Sequence, residues 1–174
     1  MTGIWIITTA SLALFIEIFA GNAGLAVPML GLTAFYLFVA CDWEKGVIPL
    51  AVAAVILDST LGRSSFISLL LLAPIGVLAY FWRRRGECGR ATLQALPGLA
   101  VGLMWGTLLL TVESLVQERI SVGLLRHDAW LLMQFILFGI IGLPLICRAA
   151  DYAASRLGLP LYVQAQQARR MRHG

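Results

Sequence analysis

Long apolar runs separated by short polar breaks dominate the chain. A helix that crosses a bilayer needs about 20 largely apolar residues, and six runs approach that length. They predict transmembrane helices at about residues 4–20, 23–40, 46–57, 66–82, 93–112 and 130–146. The third run is short and contains Pro49. It is expected to thin the bilayer locally or to continue through the polar residues 58–60. The pattern therefore predicts an all-α membrane protein, a polytopic bundle of about six transmembrane helices.

The predicted bundle leaves short loops and one tail. Residues 1–147 are predicted to form the six-helix transmembrane domain, and residues 148–174 a basic cytoplasmic tail. The tail could lie at the membrane surface as a partly helical stretch that Pro160 interrupts. The first apolar run has no basic region before it and is as long as a thin span, so a retained first helix is expected rather than a cleaved signal peptide.

Composition agrees with the membrane prediction. Hydrophobic residues make up 60% of the chain and charged residues 13%, about half of the charged share in a typical soluble domain. So much apolar surface suits a bilayer better than the core of a soluble protein. The short loops leave no room for a separate catalytic domain.

The distribution of basic residues predicts the orientation. With the N-terminus in the cytoplasm, ten of the 13 Lys and Arg residues fall on the cytoplasmic side, and only Arg63, Arg119 and Arg126 on the other. This positive-inside bias predicts that both termini are cytoplasmic. The basic clusters are expected to contact membrane lipid and not nucleic acid. The orientation also puts the three cysteines on the reducing side, where disulfides are rare.

Three acidic residues lie in or at the ends of outward-running spans: Glu17 in the first, Asp58 at the end of the third and Glu113 at the end of the fifth. All three are predicted near the outer leaflet. One interpretation is a polar pocket, open to the outside, for a cationic solute or a partner's basic residue. The other is that the acids cap helices and pair with nearby arginines. Glu17 is the most deeply placed, so a functional or packing-critical role is expected for it.

Gly98, Gly102 and Gly106 recur at four-residue spacing in the fifth span. This spacing clears one helix face of side chains, so another backbone can approach closely. The approaching helix is either one of this chain's own, as a compact bundle favours, or a transmembrane helix of a partner.

Other polar side chains within the spans are expected to join helices and not to bind ligands. They are Gln134, Thr8, Thr9, Thr33, Thr107 and Thr111.

Sequence signatures of an enzyme or a metal site are absent. Both histidines, His127 and His173, lie outside the predicted spans, and the three cysteines are widely separated. There is no HExxH motif, no pair of intramembrane aspartates and no glycine-rich phosphate loop. We therefore expect no catalytic residue, cofactor or metal ion, and an intramembrane enzyme is the third choice among the functions considered.

The segment from residue 44 to residue 87 resembles the central region of the MreD family, the small rod-shape-determining membrane proteins of bacteria. The resemblance lies in a short apolar span that ends in an aliphatic run and Asp58, followed by Gly62. A further apolar span from Phe66 and the basic stretch at residues 83–85 then follow. The length of the chain, the number of spans and the short loops are also similar.

The resemblance implies a non-enzymatic component of the cell-elongation machinery in the bacterial inner membrane. Proteins of this kind bind MreC, a single-span protein, and through it connect to the MreB filament and to cell-wall synthesis enzymes. It also implies that Asp58 and Gly62 shape the turn after span three, and that the fold resembles the substrate-binding subunits of energy-coupling-factor transporters.

Such a vitamin-binding or small-solute-binding subunit is the alternative function. It has a similar size and number of spans, and an outward pocket with Glu17, Asp58 and Glu113 would suit it. Those subunits usually carry small residues at four-residue spacing in span one, where this chain has only Thr9 and Ala13 before Glu17.

Overall fold

The computed structural model of the chain describes residues 2–41, 43–63, 66–85, 91–117, 122–159 and 162. All regular secondary structure in this part is α-helix, which confirms the all-α prediction. Its helices are α1 (Thr2–Asn22), α2 (Met29–Ala40), α3 (Trp43–Thr60), α4 (Ile67–Arg85), α5 (Ala91–Gln117) and α6 (Val122–Arg156). Four of them, α1, α4, α5 and α6, are long and apolar enough to cross a membrane. Helix α2 is apolar but only 12 residues long, and α3 carries charged residues near both ends.

Helix α2 forms the centre of the bundle. Every residue from Leu30 to Ala40 is buried, and α2 contacts each of the other five helices. The surrounding helices contact their neighbours in the order α1, α3, α4, α5 and α6. Large apolar side chains such as Phe15, Ile48 and Leu137 point away from the bundle. The core is thus built around a central helix, and the outer surface is apolar, as a lipid environment requires.

Three pairs of consecutive helices, α1–α2, α3–α4 and α5–α6, run antiparallel. Glu17 of α1 contacts Leu30 of α2, Asp58 of α3 contacts Ser68 of α4, and Gly98 of α5 contacts Gly139 of α6. We call the end of the bundle that holds residues 23–28, residues 61–63 and Phe66 the hairpin end. The opposite end, which carries Lys45, Arg83, Arg84, Arg148 and Arg156, is the basic end.

The prediction that the second helix starts at residue 23 is wrong. Helix α1 continues to Asn22, and α2 begins only at Met29. Gly24 adopts φ 76°, and Leu25 N donates to Ala20 O in the reversal that ends α1. Pro28 precedes α2, where its missing N–H group costs nothing. Residues 25–28 are therefore an irregular connection next to the central helix.

Two other helices are longer than predicted. Helix α3 covers Trp43–Thr60, so it continues through the polar residues 58–60, as one of the two stated possibilities has it, and Asp58 lies in its last turn. Helix α6 has 35 residues and is about 50 Å long, more than the roughly 30 Å of hydrocarbon in a bilayer. It passes without a break across residue 148, where the tail was predicted to begin.

Candidate functional site

Glu17 lies inside the bundle at the hairpin end, where it caps the central helix. Its side chain is buried, and Oε2 accepts a hydrogen bond of 2.7 Å from the backbone N–H of Leu30 in the first turn of α2. Pro28, the residue before α2, has no side-chain acceptor for this group. A carboxylate from the neighbouring helix therefore replaces the Ser, Thr or Asp that usually caps a helix.

Gln134 of α6 supports the same irregular connection. Its Oε1 accepts a hydrogen bond of 3.0 Å from the backbone N–H of Ala26. Backbone outside a helix is tolerated at membrane depth only where protein groups satisfy it. Glu17 and Gln134 together supply acceptors for two N–H groups between residues 26 and 30. Gln134 was predicted to join helices; its partner is instead the backbone of the connection between α1 and α2.

Asp58 performs the same task at the next hairpin. Its side chain is fully buried, and Oδ2 accepts a hydrogen bond of 2.9 Å from the backbone N–H of Ser68 in the first turn of α4. The hydroxyl of Ser68 donates to Oδ1 at 2.6 Å. Phe66, immediately before α4, has no acceptor in its side chain. Asp58 thus stabilises the start of α4 from the end of α3.

Gly62 makes the turn that brings Asp58 and Ser68 together. It adopts φ 66°, a conformation that glycine reaches without steric cost. Arg63 N donates to Asp58 O at 2.9 Å, and Gly62 N to Ser59 O at 3.4 Å, which is the pattern of a glycine-terminated helix end. The structure therefore places Asp58 and Gly62 in one compact turn.

Arg63 joins the polar groups of the hairpin end. Its Nη1 lies 3.3 Å from Asp58 Oδ1 and 3.1 Å from Ser68 Oγ. Glu17 is close enough to interact electrostatically with both Arg63 and Asp58. Of the three acids singled out in the sequence, Asp58 thus contacts Arg63 directly, and Glu17 lies within electrostatic range of both. Both carboxyl groups accept hydrogen bonds from backbone N–H groups, so they stabilise the fold. With Arg63 they also place three ionisable groups at the hairpin end.

The third acid, Glu113, lies in the last turns of α5, and its side chain lies outside the described part of the structure. The prediction that it faces the same region stays untested. Among the described residues, no group of three His, Cys, Asp or Glu side chains could hold a metal ion.

The three glycines of α5 face α6 of the same chain. A Cβ atom on Gly98 would collide with the carbonyl oxygen of Gly139, and one on Gly102 with that of Phe135. At Gly106 it would lie 2.7 Å from the Leu132 side chain. The helix that approaches this face is therefore internal, and α5 and α6 form the most extensive helix pair of the bundle.

Threonine hydroxyls mostly serve their own helices. Thr8 donates to Ile4 O, Thr9 to Trp5 O and Thr107 to Leu103 O, each one turn back. For these three residues the expectation of hydrogen bonds between helices is wrong, because the carbonyl one turn earlier is always within reach.

A second polar cluster, at the basic end, was missed by the sequence interpretation. Asp151 of α6 accepts hydrogen bonds from the hydroxyl of Tyr36 in α2, at 2.9 Å, and from the backbone N–H of Tyr162, at 2.8 Å. Tyr162 is fully buried, although it lies in the segment predicted to be a surface tail. In the sequence, the feature that could have indicated this cluster is an acidic residue, Asp151, followed by aromatic residues within a basic segment.

Comparison with family models, with curated proteins and with solved structures finds no match to this chain.

Proposed function

We propose that this protein is a non-enzymatic, multi-pass component of the bacterial cell-elongation machinery, similar to the MreD family, and that it acts by binding other membrane proteins. The partners would be a single-span MreC-like protein and, through it, cell-wall synthesis enzymes. The location would be the bacterial inner membrane, with six spans and both termini in the cytoplasm.

The proposal rests on the turn between α3 and α4, which is built by the two residues that resemble the MreD family, Asp58 and Gly62. Asp58 ends α3 and caps α4, and Gly62 makes the reversal between them. Asp58 and Gly62 thus belong to one turn, which explains why the two residues would occur together at this spacing. A bundle whose buried acids are committed to its own helices suits a scaffold that presents a fixed surface to partners.

The same hydrogen bonds weigh against the solute-binding subunit. A cationic solute would need carboxylate oxygens that face an open pocket. Glu17 and Asp58 are buried, and both accept backbone hydrogen bonds. Asp58 also has a basic neighbour in Arg63. A bound cation would have to compete with these internal partners.

Purification from native membranes tests the proposal. The chain, tagged and expressed at its native level, is isolated in mild detergent, and co-purifying proteins and small molecules are identified by mass spectrometry. We expect a single-span coiled-coil protein and cell-wall synthesis enzymes, and depletion of the chain should make rod-shaped cells round. An unrelated polytopic membrane protein with the same tag serves as the control. Recovery of an ATPase module with a bound vitamin, and no change of cell shape, would instead establish the transporter subunit.

A further inference from the structure

Helix α4 ends at the basic end with an aromatic side chain and two arginines. Trp82 is half-buried and packs against the core, and its indole Nε1 is enclosed by protein. Arg83 and Arg84 follow it in the last turn. Tryptophan and arginine at the end of an apolar helix are typical of the level at which lipid headgroups begin. The end of α4 therefore lies where a lipid phosphate can reach it.

The two arginines of this turn have different environments. Arg84 is exposed, and its guanidinium carbon lies 5.2 Å from the centre of the Tyr80 ring, one turn earlier. It thus has a cation–π partner on its own helix. Arg83 is half-buried, and its Nε is enclosed by protein and meets no hydrogen-bond acceptor. Among the described residues, no carboxylate pairs with its guanidinium.

The enclosed Nε fixes the position of the Arg83 guanidinium. Because Nε lies inside the protein, the terminal nitrogens Nη1 and Nη2 form the edge that can meet a ligand. This edge carries two parallel N–H donors, which match two oxygens of a phosphate group. A partly buried guanidinium without an acceptor is also unfavourable, and a bound anion offsets that cost.

The surroundings of Arg83 favour a ligand with an anionic head and an apolar tail. The described basic side chains outnumber the acids at this end, with Lys45, Arg83, Arg84, Arg148 and Arg156 against Glu44 and Asp151. Towards the middle of the bundle, α4 exposes apolar side chains such as Val77 and Phe81. A phospholipid can contact both surfaces at once, whereas a free phosphate ion can contact only the first.

We propose that Arg83 is the phosphate-binding residue of a specific site for an anionic phospholipid, in the membrane leaflet at the basic end. Such a site differs from the general attraction of basic residues for lipid, because it depends on one positioned guanidinium and not on the summed charge. This inference does not depend on the proposed function.

Native mass spectrometry of the purified chain in an uncharged detergent measures the binding. Phosphatidylglycerol is titrated at low mole fraction, so that no charged membrane surface contributes, and the Kd of the first bound lipid is determined. We expect Arg83→Gln to raise this Kd at least about tenfold, because two charge-assisted hydrogen bonds are lost. Arg83→Lys keeps the charge but loses the two parallel donors, so a rise of about threefold or more is expected.

The matched control is Arg84→Gln, which makes the same change of charge at the next residue. It should raise the Kd by less than about twofold, because an exposed charge contributes little. Phosphatidylcholine has the same phosphate group but no net charge, and should bind the wild type at least about tenfold more weakly. Inorganic phosphate in large excess should not displace phosphatidylglycerol.

Equal losses for Arg83→Gln and Arg84→Gln would overturn the site and leave only general charge attraction. Equal affinity for the two lipids would contradict the preference for an anionic headgroup. Displacement by inorganic phosphate would show that the ligand is a free anion and not a lipid. If Arg83→Gln does not fold, the same decision rests on Arg83→Lys against Arg84→Lys, which both keep the charge.

Discussion

At the scale of single residues, each buried acid of the hairpin end accepts a hydrogen bond from an N–H group in the first turn of the next helix. Helices α2 and α4 both start after residues, Pro28 and Phe66, whose side chains offer no acceptor. Glu17 and Asp58 reach the first turns of these helices from the helix before. A buried N–H group without an acceptor costs about 1–3 kcal/mol. The carboxylates therefore stabilise helix starts that the local sequence leaves uncapped.

Glu17 gives a prediction at this scale. Glu17→Ala leaves the N–H group of Leu30 buried without its acceptor, so the free energy of unfolding should fall by about 1–3 kcal/mol. Glu17→Gln retains a carbonyl oxygen and should lose less. The measurement is reversible unfolding of the purified protein in mixed detergent micelles.

Thr8→Ala is the matched control for Glu17. It removes an exposed polar group from the same helix, where the hydroxyl bonds only to Ile4 O, and should change the free energy of unfolding by no more than about 0.5 kcal/mol. An effect of Glu17→Ala as small as that of Thr8→Ala would show that the cap contributes nothing.

At the scale of helices, the contact between α5 and α6 depends on glycine. The backbones approach so closely that the Cα atoms of Gly98 and Gly102 face the carbonyl oxygens of Gly139 and Phe135. Without a hydrophobic driving force between helices in lipid, such close packing supplies much of the association. The longest helices of the bundle are therefore joined at positions where no side chain fits.

Alanine substitutions at two glycines should have opposite effects. Gly102→Ala adds a methyl group that collides with the backbone of α6, so the free energy of unfolding should fall by about 1–3 kcal/mol. Gly3→Ala adds the same group on α1, where nothing lies within 4 Å, and should be neutral or stabilising because alanine favours helices by up to about 1 kcal/mol. Detergent unfolding measures both. Equal effects would mean that α5 and α6 do not pack at Gly102.

The positions of the helices could be predicted from the sequence, but their exact ends and their contacts could be predicted only in part. Apolar runs identify where all six helices lie, because apolarity is a local property of the chain. The start of α2 was misjudged, since residues 23–28 are as apolar as a helix, whereas Gln134 of α6 binds the backbone at Ala26 and Glu17 of α1 caps α2 at Leu30. The sequence left open whether the glycine face of α5 packs against a helix of this chain or of a partner, and the structure shows that it packs against α6. The burial of Tyr162 could not be predicted, because it depends on Tyr36, a residue far away in the chain.

At the scale of the whole molecule, the central position of α2 bears on the number of spans. Its 12 residues extend only about 18 Å, less than the roughly 30 Å of hydrocarbon. The four residues of the connection, 25–28, can add up to about 14 Å in extended form. Gln134 binds the backbone of this connection at Ala26, Glu17 binds the backbone of α2 at Leu30, and the helix is shielded on all sides. Together they could cross a membrane, although α2 alone is too short.

The location of Lys45 distinguishes six spans from four. If α2 and α3 both cross, Lys45 at the start of α3 lies in the cytoplasm; if only α1, α4, α5 and α6 cross, Lys45 lies outside. The ends of α4 and of the chain are cytoplasmic in both cases, so they do not decide the question.

With all native cysteines replaced by serine, Lys45→Cys should react with a membrane-impermeant maleimide only after the cells are permeabilised. Ser59→Cys, exposed at the hairpin end of the same helix, should react in intact cells. Labelling of both positions in intact cells would contradict the six-span topology and leave α2 and α3 as a hairpin held on the outer side. The basic residues at Lys45, Arg83 and Arg148 favour the first outcome, because they occupy one end of the bundle as the positive-inside rule requires.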